Sequence, residues 1–142
     1  MKTGKDILAS VLKTTQMGQV GIRAVTNYVV RADLRKALQD QLGEYDAIER
    51  EANEIASQRG WELKDLDPVA KMMSMAYART NLSFGNADSK VAAMMIQGNT
   101  RGMIKGLKNL HHSSNPDSKI MSVSQKLLDC ETANIKQMQG YL

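Results

Sequence analysis

The sequence contains very few residues of three kinds. Among its 142 residues there are one cysteine, two prolines and six aromatic residues (four Tyr, one Trp and one Phe). The single cysteine, Cys130, allows neither an intrachain disulfide nor a cluster of thiolate metal ligands, and it favours a reducing compartment. Because proline interrupts helices, its scarcity favours long helices, with a core built from Leu, Ile, Val, Ala and Met.

Long hydrophobic runs and blocks of like charge are also missing. No run of about 18 apolar residues occurs, so we expect no membrane-spanning helix and no membrane partner. The N-terminal stretch MKTGKDILASVLKTTQMGQ carries charged and polar residues too early for a signal peptide. The net charge of +4 is mild and spread along the chain, which is weak evidence for a nucleic-acid partner. These features predict one cytoplasmic domain covering residues 1–142.

Apolar residues three and four positions apart predict four long helices and one short helix. Asp33, Asp67 and Asp88 are the expected N-caps, and Pro68 is the expected first residue of the short helix. The sequence HHSSNPDS is expected to separate the last two helices. The expected bounds are about Thr3 or Lys5 to Tyr28, Asp33 to Gly60, Pro68 to Thr80, Asp88 to Leu110, and Asp117 to Tyr141.

The connections between these helices predict the architecture. The first two long helices are joined by very few residues, as are the last two, and short links make antiparallel neighbours. Residues 60–87 form a long connection that holds the short helix. One long crossover is the connectivity of ferritin-like bundles. We therefore predict an all-α, four-helix bundle of two antiparallel hairpins, joined by a crossover that contains one short helix.

Four segments carry a resemblance to a known family: LKTTQMGQVGIRAV, LRKALQDQLGEYDAIEREANEIASQRGW, MMIQGNTRGMIKGLKNL and LLDCETANIKQMQGYL. They resemble the ferritin-like superfamily, and in particular small rubrerythrin-like and spore-coat-type proteins of spore-forming bacteria. The resemblance implies a bacterial protein and a left-handed bundle whose centre holds iron or manganese. In metal-binding members, two helices each supply a Glu and the other two each supply Glu-x-x-His.

The chain departs from this ligand pattern. Glu131 and Asn134 occupy the place of one Glu-x-x-His pair, so the glutamate is kept and the histidine is not. His111 and His112 lie at the end of a helix, away from its middle. Neutral side chains stand where further glutamates are needed, and they are poor ligands for a di-iron centre: Gln16, Gln19, Gln97 and Thr100. We therefore predict a degenerate di-iron site with no cofactor, whose only weak metal candidates are Glu44 and Glu131.

Glu131 lies on the apolar stripe of the last helix, where an unpaired carboxylate is costly. The sequence predicts that it hydrogen-bonds within a buried polar layer, which can fix helix register. Two alternatives stay open: a rotated helix that exposes Glu131, and a single weak metal or ligand site formed with Glu44. The predicted layer consists of Gln16, Gln19, Tyr45, Gln97, Glu131 and Asn134.

Five glycines lie within two of the predicted helices, where each costs about 1 kcal/mol relative to alanine. Such a cost suggests that another backbone or a ligand comes close. Close packing between the two helices is favoured over a binding groove or a dimer seam. The glycines are Gly18 and Gly21 on the first helix, and Gly98, Gly102 and Gly106 on the third long helix.

Methionine is abundant, with ten residues. Its flexible side chain fills irregular gaps and also makes adaptable interfaces. The sequence supports both readings equally: the crossover helix packs on the bundle through methionines, or they form a surface for self-association. The second reading predicts a homo-oligomer. The residues concerned are Met72, Met73, Met75, Met94 and Met95.

The sequence thus favours a non-catalytic structural or protein-interaction module, with a spore or stress association implied only by the resemblance. No catalytic residue is predicted. The first alternative is a metal-binding oxidoreductase relative with a reduced site. The second is a basic, nucleic-acid-associated bundle that uses Arg101, Lys105 and Lys108. This alternative is weaker, because no aromatic residues interleave with the cations and nothing in the sequence reads bases.

Overall fold

The computed structural model describes residues 2–114 and 117–142, and over these ranges the protein is all-α. Five α-helices and one short 3-10 turn (Thr26–Tyr28) account for the regular structure. Asn115 and Pro116, within the predicted break HHSSNPDS, lie outside the described residues. The helices are α1 (Gly4–Val25), α2 (Ala32–Gln58), α3 (Pro68–Leu82), α4 (Ala87–His111) and α5 (Ser118–Gln139).

Side chains cap the starts of three of the five helices. Thr3 and Asp6 form a reciprocal capping box at the start of α1. The prediction for α3 is confirmed, since Asp67 caps the helix and Pro68 is its first residue. The helix ends two residues beyond the expected Thr80. Asp117 caps α5 by accepting hydrogen bonds from two backbone N–H groups.

Two of the expected caps are wrong. Arg31 precedes the first residue of α2, and Asp33 lies in the first turn, where it pairs with the Arg31 guanidinium. Asp88 likewise lies inside α4 rather than at its cap. Its carboxylate instead accepts hydrogen bonds from the backbone N–H groups of Val30 and Arg31, at 2.8 and 3.0 Å. A side chain from α4 thereby holds the connection between α1 and α2.

Interhelical contacts define the relative directions of the helices. Helix α1 packs on α2, and α4 packs on α5. Helices α2 and α5 are antiparallel, because residues late in α2 contact residues early in α5: Glu51 accepts from Lys126 at 2.9 Å. Helices α1 and α4 are also antiparallel, since Lys2, just before α1, donates its backbone N–H to His112 at the end of α4.

The core lies between α1, α2, α4 and α5. With one exception, its largest fully buried side chains are apolar. The exception is Glu131, the only ionisable residue among them in the described residues. In the ranges that the structure covers, no helix combines the length and apolar character that a bilayer crossing needs. The main aliphatic members are Ile7, Leu8, Leu12, Ile22, Leu34, Leu38 and Ile120.

Helix α3 contributes much less to the core than the other helices. Only Ala78 and Leu82 are buried, and Ala70 and Ser74 are half-buried on the same side. These four residues are four positions apart, so they form one narrow stripe along the helix, which packs mainly on α1. Helix α3 is thus held by small side chains, and most of its surface is exposed.

Candidate functional site

A groove of about 770 Å³ opens between α1, α3 and α4. Helices α1 and α4 form its two walls, and α3 borders it on one side. Side chains from α2 and α5 reach between the walls and form its floor. Most of its lining is apolar, with three methionines from α1 and α4 (Met17, Met94 and Met95) among the larger residues.

Tyr45 of α2 forms one part of the floor. Its hydroxyl donates to the side-chain oxygen of Asn99 at 2.7 Å, and the Asn99 amide donates to the Met95 carbonyl at 2.8 Å. Burial, and then the charge of Glu131, raise the pKa of Tyr45, so the phenol stays neutral. The ring lies against Gly18, where an added Cβ would be 2.6 Å from Cζ. The Tyr45 ring therefore occupies a fixed position, and its hydroxyl proton is already donated to Asn99.

Glu131 of α5 forms the other part of the floor. Its side chain is 1% exposed and lies against Gly102, where any Cβ would collide with both carboxylate oxygens. Within residues 2–114 and 117–142, the buried Oε1 atom has no hydrogen-bond partner. Burial raises the pKa of this carboxyl to about 8, which makes the neutral form dominant at pH 7. The site thus contains a buried, neutral carboxyl group with unused hydrogen-bonding capacity.

A second, small cavity of about 10 Å³ touches Glu131 from another side. It is lined by Ser124, whose buried hydroxyl also has no partner among the described residues. Nearby, Asn109 donates to the Ser10 hydroxyl at 2.7 Å. A cavity of this size and polarity matches one water molecule. Glu131 therefore lines both this small cavity and the much larger groove.

The predicted hydrogen bonds of Glu131 are wrong, because its expected partners bind other groups. Gln16 donates to Glu49 at 3.1 Å and to Asp65, and Gln19 donates to Asp46 at 2.9 Å. Both glutamines lie on the side of α1 that faces the outer edge of α2. That direction leads away from α5 and therefore away from Glu131.

Two further members of the predicted layer lie near the floor of the groove but, among the described residues, do not hydrogen-bond to Glu131. Asn134 is buried but contacts the Cys130 sulfur at 3.6 Å. Gln97 is exposed, because Asn99 is the residue of this turn of α4 that points inward. The alternative of a rotated α5 that exposes Glu131 is wrong as well, since the side chain is fully buried. The structure therefore keeps Tyr45 and Glu131 at the floor, with Asn134 beside Tyr45 and Gln97 in the exposed lining of the groove. Only Gln16 and Gln19 bind groups elsewhere.

The two metal candidates do not gather further ligands. Glu44 is exposed and accepts a hydrogen bond from the Cys130 thiol at 3.1 Å. In the described part of the chain, no three or more His, Cys, Asp or Glu residues form a group that could hold a metal ion. His111 and His112 are exposed at the end of α4. The neutral groups around Glu131 do not fit a di-iron centre, which needs several anionic oxygen ligands.

The surroundings of the Cys130 thiol are those of a buried packing residue. Burial, and then its hydrogen bond to Glu44, raise the pKa of the thiol well above its ordinary value. A nucleophilic cysteine needs the opposite shift, because the thiolate is the reactive form. The local chemistry therefore gives Cys130 no role as a nucleophile.

The glycines do not bring the backbones of α1 and α4 together, so that prediction is wrong. The nearest atoms to Gly18 and Gly102 belong to the side chains of Tyr45 and Glu131. A Cβ added at Gly21 would meet only the end of Met95, at 3.7 Å, and one added at Gly98 would meet nothing within 4 Å. A Cβ added at Gly106, outside the groove, would lie 3.4 Å from the Leu128 side chain. Gly18, Gly21, Gly98 and Gly102 instead line the groove.

The methionines separate into two groups. Met72, Met73 and Met75 of α3 are 71%, 67% and 45% exposed, so they do not attach this helix to the core. Met94 and Met95 of α4 are half-buried and line the groove. The reading in which α3 attaches to the core through its methionines is therefore wrong, although Met73 and Tyr77 of α3 also border the groove.

The cations of α4 lie on the rim of the groove. Arg101 and Lys105 line it, together with Lys13 of α1, and all three are exposed. Lys108 is exposed beyond the groove. Sequence reasoning noticed these cations but missed Asn99, the partner of Tyr45. Its position on the inward stripe of α4, four residues after Met95, was the available signal.

Comparison with known proteins gives no relative: no family model, curated protein or solved structure matches this chain.

Proposed function

We propose that the protein is a non-catalytic, ferritin-like four-helix bundle that acts as a structural or interaction module by self-association. In this fold, α1–α2 and α4–α5 are the two hairpins and residues 60–87 are the crossover. The antiparallel contacts of α2 with α5 and of α1 with α4 support this topology. The crossover begins near α5, where Arg59 pairs with Asp117, and it ends beside Val30.

The observation that carries the functional proposal is an exposed apolar stripe on α3. Val69, Met72, Met73 and Tyr77 are 54%, 71%, 67% and 56% exposed. With Ala76, also exposed, they follow the i, i+3, i+4, i+7, i+8 spacing of an amphipathic face. The opposite face of α3 already packs on the protein. Exposed apolar patches of this kind mark sites of protein–protein contact.

A second copy of the chain is the partner that this stripe fits best. The stripe is apolar and carries no charge, so two copies related by a two-fold axis meet without repulsion between like charges. Methionine side chains adapt to one another across such a seam. Burying the stripe in a symmetric dimer also covers the residues of α3 that the monomer leaves in solvent.

Sedimentation velocity tests this proposal. At tens of micromolar, the wild type is expected to sediment as a dimer or larger, and Val69→Glu with Met72→Glu, both on the stripe, is expected to give a folded monomer. The control is Met121→Glu, the same change at an exposed methionine of α5, which is expected to leave the association unchanged. A monomeric wild type, or a dimer that survives both α3 changes, would contradict the proposal.

The other readings stay predictions that separate in simple measurements. Iron or manganese binding through Glu44 and Glu131 predicts metal retained after purification and lost in Glu131→Gln. Nucleic-acid binding through Arg101, Lys105 and Lys108 predicts retention that falls steeply as salt rises. The cytoplasmic location and the spore or stress association rest on the sequence alone.

A further inference from the structure

We propose that the groove between α1 and α4 binds a small, mainly apolar molecule that presents a hydroxyl group to Glu131. The apolar body of this ligand would lie along the glycines and methionines of the two walls, and its hydroxyl would donate to the carboxyl at the floor. The groove adjoins the proposed self-association stripe, because Met73 and Tyr77 of α3 belong to both, so ligand binding is measured on the dilute protein.

The dimensions and the lining of the groove are those of a small-molecule site. Its volume of about 770 Å³ lies within the range of roughly 300–1,000 Å³ that is usual for ligand pockets. Such pockets are mostly apolar and have a few convergent polar groups. Here the convergent groups are Tyr45, Asn99 and Glu131, contributed by three different helices.

The glycines keep this space open. Gly98 faces the groove with nothing within 4 Å, and Gly21 meets only the end of Met95. Each glycine inside a helix lowers stability relative to alanine. In α1 and α4 this loss is not offset by closer packing of the two helix backbones. Glycine at these positions instead leaves room between the two walls and access to the floor.

Glu131 defines the chemistry that the ligand needs. Its buried Oε1 lacks a partner among the described residues, and a buried polar atom without a hydrogen bond is costly. The Tyr45 hydroxyl cannot supply the bond, because it donates to Asn99. A donor carried by a bound molecule would satisfy the oxygen.

The charges around the groove favour an uncharged donor. Lys13, Arg101 and Lys105 on the rim repel an ammonium group that enters. A carboxylate would be held by these cations at the rim, so it would leave Glu131 without a donor. The raised pKa of Glu131 makes the carboxyl neutral at pH 7, which suits a hydroxyl better than an ion.

Three eight-carbon amphiphiles that share one chain length test this choice. Octanol, octylamine and octanoate compete at pH 7 with N-phenylnaphthylamine, a neutral probe that fluoresces in apolar sites. The probe is expected to bind the wild type, and octanol is expected to displace it at the lowest concentration. Failure of the probe to bind, or stronger displacement by octylamine or octanoate, would overturn the proposal.

Two substitutions of Glu131 test the contact at the floor. Glu131→Met removes the acceptor at similar volume, and octanol is expected to bind about five-fold more weakly, the effect of one hydrogen bond. Glu131→Gln keeps a carbonyl acceptor and is expected to bind octanol as the wild type does. The N–H of the probe is a weaker donor than an alcohol, so its affinity is expected to differ less among the three proteins than that of octanol. Unchanged octanol binding in Glu131→Met would overturn the proposal and assign Oε1 to a water in the small cavity beside Ser124.

A substitution that fills the groove provides a second test of the proposal. Gly98→Leu places a side chain in the open space and is expected to reduce probe binding at least ten-fold. Gly43→Leu is the matched control, because Gly43 is also helical, exposed and without neighbours within 4 Å, but it lies outside the groove. Thermal unfolding shows that each variant folds. Equal probe binding by both leucine variants would overturn the proposal.

Discussion

The protein contains two antiparallel helix pairs, α2 with α5 and α1 with α4. The two pairs differ in the contacts made at the middle of each pair. Between α2 and α5, side-chain contacts continue along the whole seam. Lys126 meets Glu51 at 2.9 Å, and Cys130 meets Glu44 at 3.1 Å. Further along, Gln41 donates to Gln137 at 3.0 Å. Each contact advances about one or two turns along both helices, so the seam is closed from end to end.

Between α1 and α4, the side-chain hydrogen bonds among the described residues lie near the two ends, and in the middle the end of Met95 approaches Gly21. Near the start of α1, Asn109 donates to Ser10. At the other end, Asp88 accepts from the backbone that follows α1. The middle is lined by glycines and contains the groove.

The difference shows that side-chain size, rather than helix direction, decides whether such a seam closes. Tyr45 and Glu131 project from the closed pair into the open pair and occupy the places that Gly18 and Gly102 leave. The closed seam therefore supplies the floor of the open one. Changes at these four residues test the comparison most directly.

The largest expected effect is at Glu131. Its carboxyl holds a proton in the folded protein up to about pH 8, whereas the unfolded chain releases it near the ordinary value of 4.5. The folded state thus binds more protons across this window, and stability must fall as pH rises through it. Relative to Glu131→Gln, which does not titrate, the wild type is expected to lose up to about 1.4 kcal/mol of unfolding free energy per pH unit.

Urea unfolding at pH 5, 7 and 9 measures this difference. The two proteins are expected to be similar at pH 5, and Glu131→Gln is expected to be clearly more stable at pH 9. The titratable side chains closest to the carboxyl, Tyr45 and Cys130, have raised pKa values and stay neutral across this range. Glu54→Gln, at an exposed position of α2, is the control. A parallel pH dependence in all three proteins would mean that Glu131 is ionised at pH 7 or reaches water.

Local sequence signals predicted the helices well, because caps and apolar spacing act within a few residues. Asp67 and Pro68 define the start of α3 in the sequence and in the structure. The stripe of α5 correctly indicated that Glu131 is buried. Asp88 was misread, since its carboxylate binds the distant backbone of Val30, a contact that no local pattern records.

The groove could not be predicted for a similar reason. A glycine on a helix allows either a close backbone or an open space, and only the side chains opposite distinguish the two. Gly98 faces open space, whereas Gly18 faces the Tyr45 ring. The partners of Gln16 and Gln19 depended on the rotation of α1 about its axis, which small differences in apolar spacing do not fix.

A moderate effect is expected at Gly18. Alanine there would place Cβ 2.6 Å from Cζ of Tyr45, whose ring is buried and bonded to Asn99. Overpacking of this kind costs about 1–3 kcal/mol, which exceeds the gain of roughly 1 kcal/mol in helix propensity. We expect Gly18→Ala to be less stable than the wild type in urea unfolding.

Gly43→Ala is the matched control for that change. Gly43 has nothing within 4 Å, so alanine is expected to stabilise the protein by about 0.5–1 kcal/mol. Opposite signs for the two variants would support the contact between Gly18 and Tyr45. Stabilisation by both would show that the ring moves freely into the groove.

The smallest effect is expected on the closed seam, at Lys126. Its ammonium lies 2.9 Å from Glu51 of α2, but the two side chains are 57% and 33% exposed. Exposed ion pairs contribute little, because water and salt screen them and ordering two long side chains costs entropy. We therefore expect Lys126→Ala to change the unfolding free energy by about 0.5 kcal/mol or less. A double-mutant cycle with Glu51→Ala isolates the pair from other effects of each change. A coupling well above about 1 kcal/mol, which is reduced at high salt, would mean that surface charge rather than the buried contacts holds α2 and α5 together.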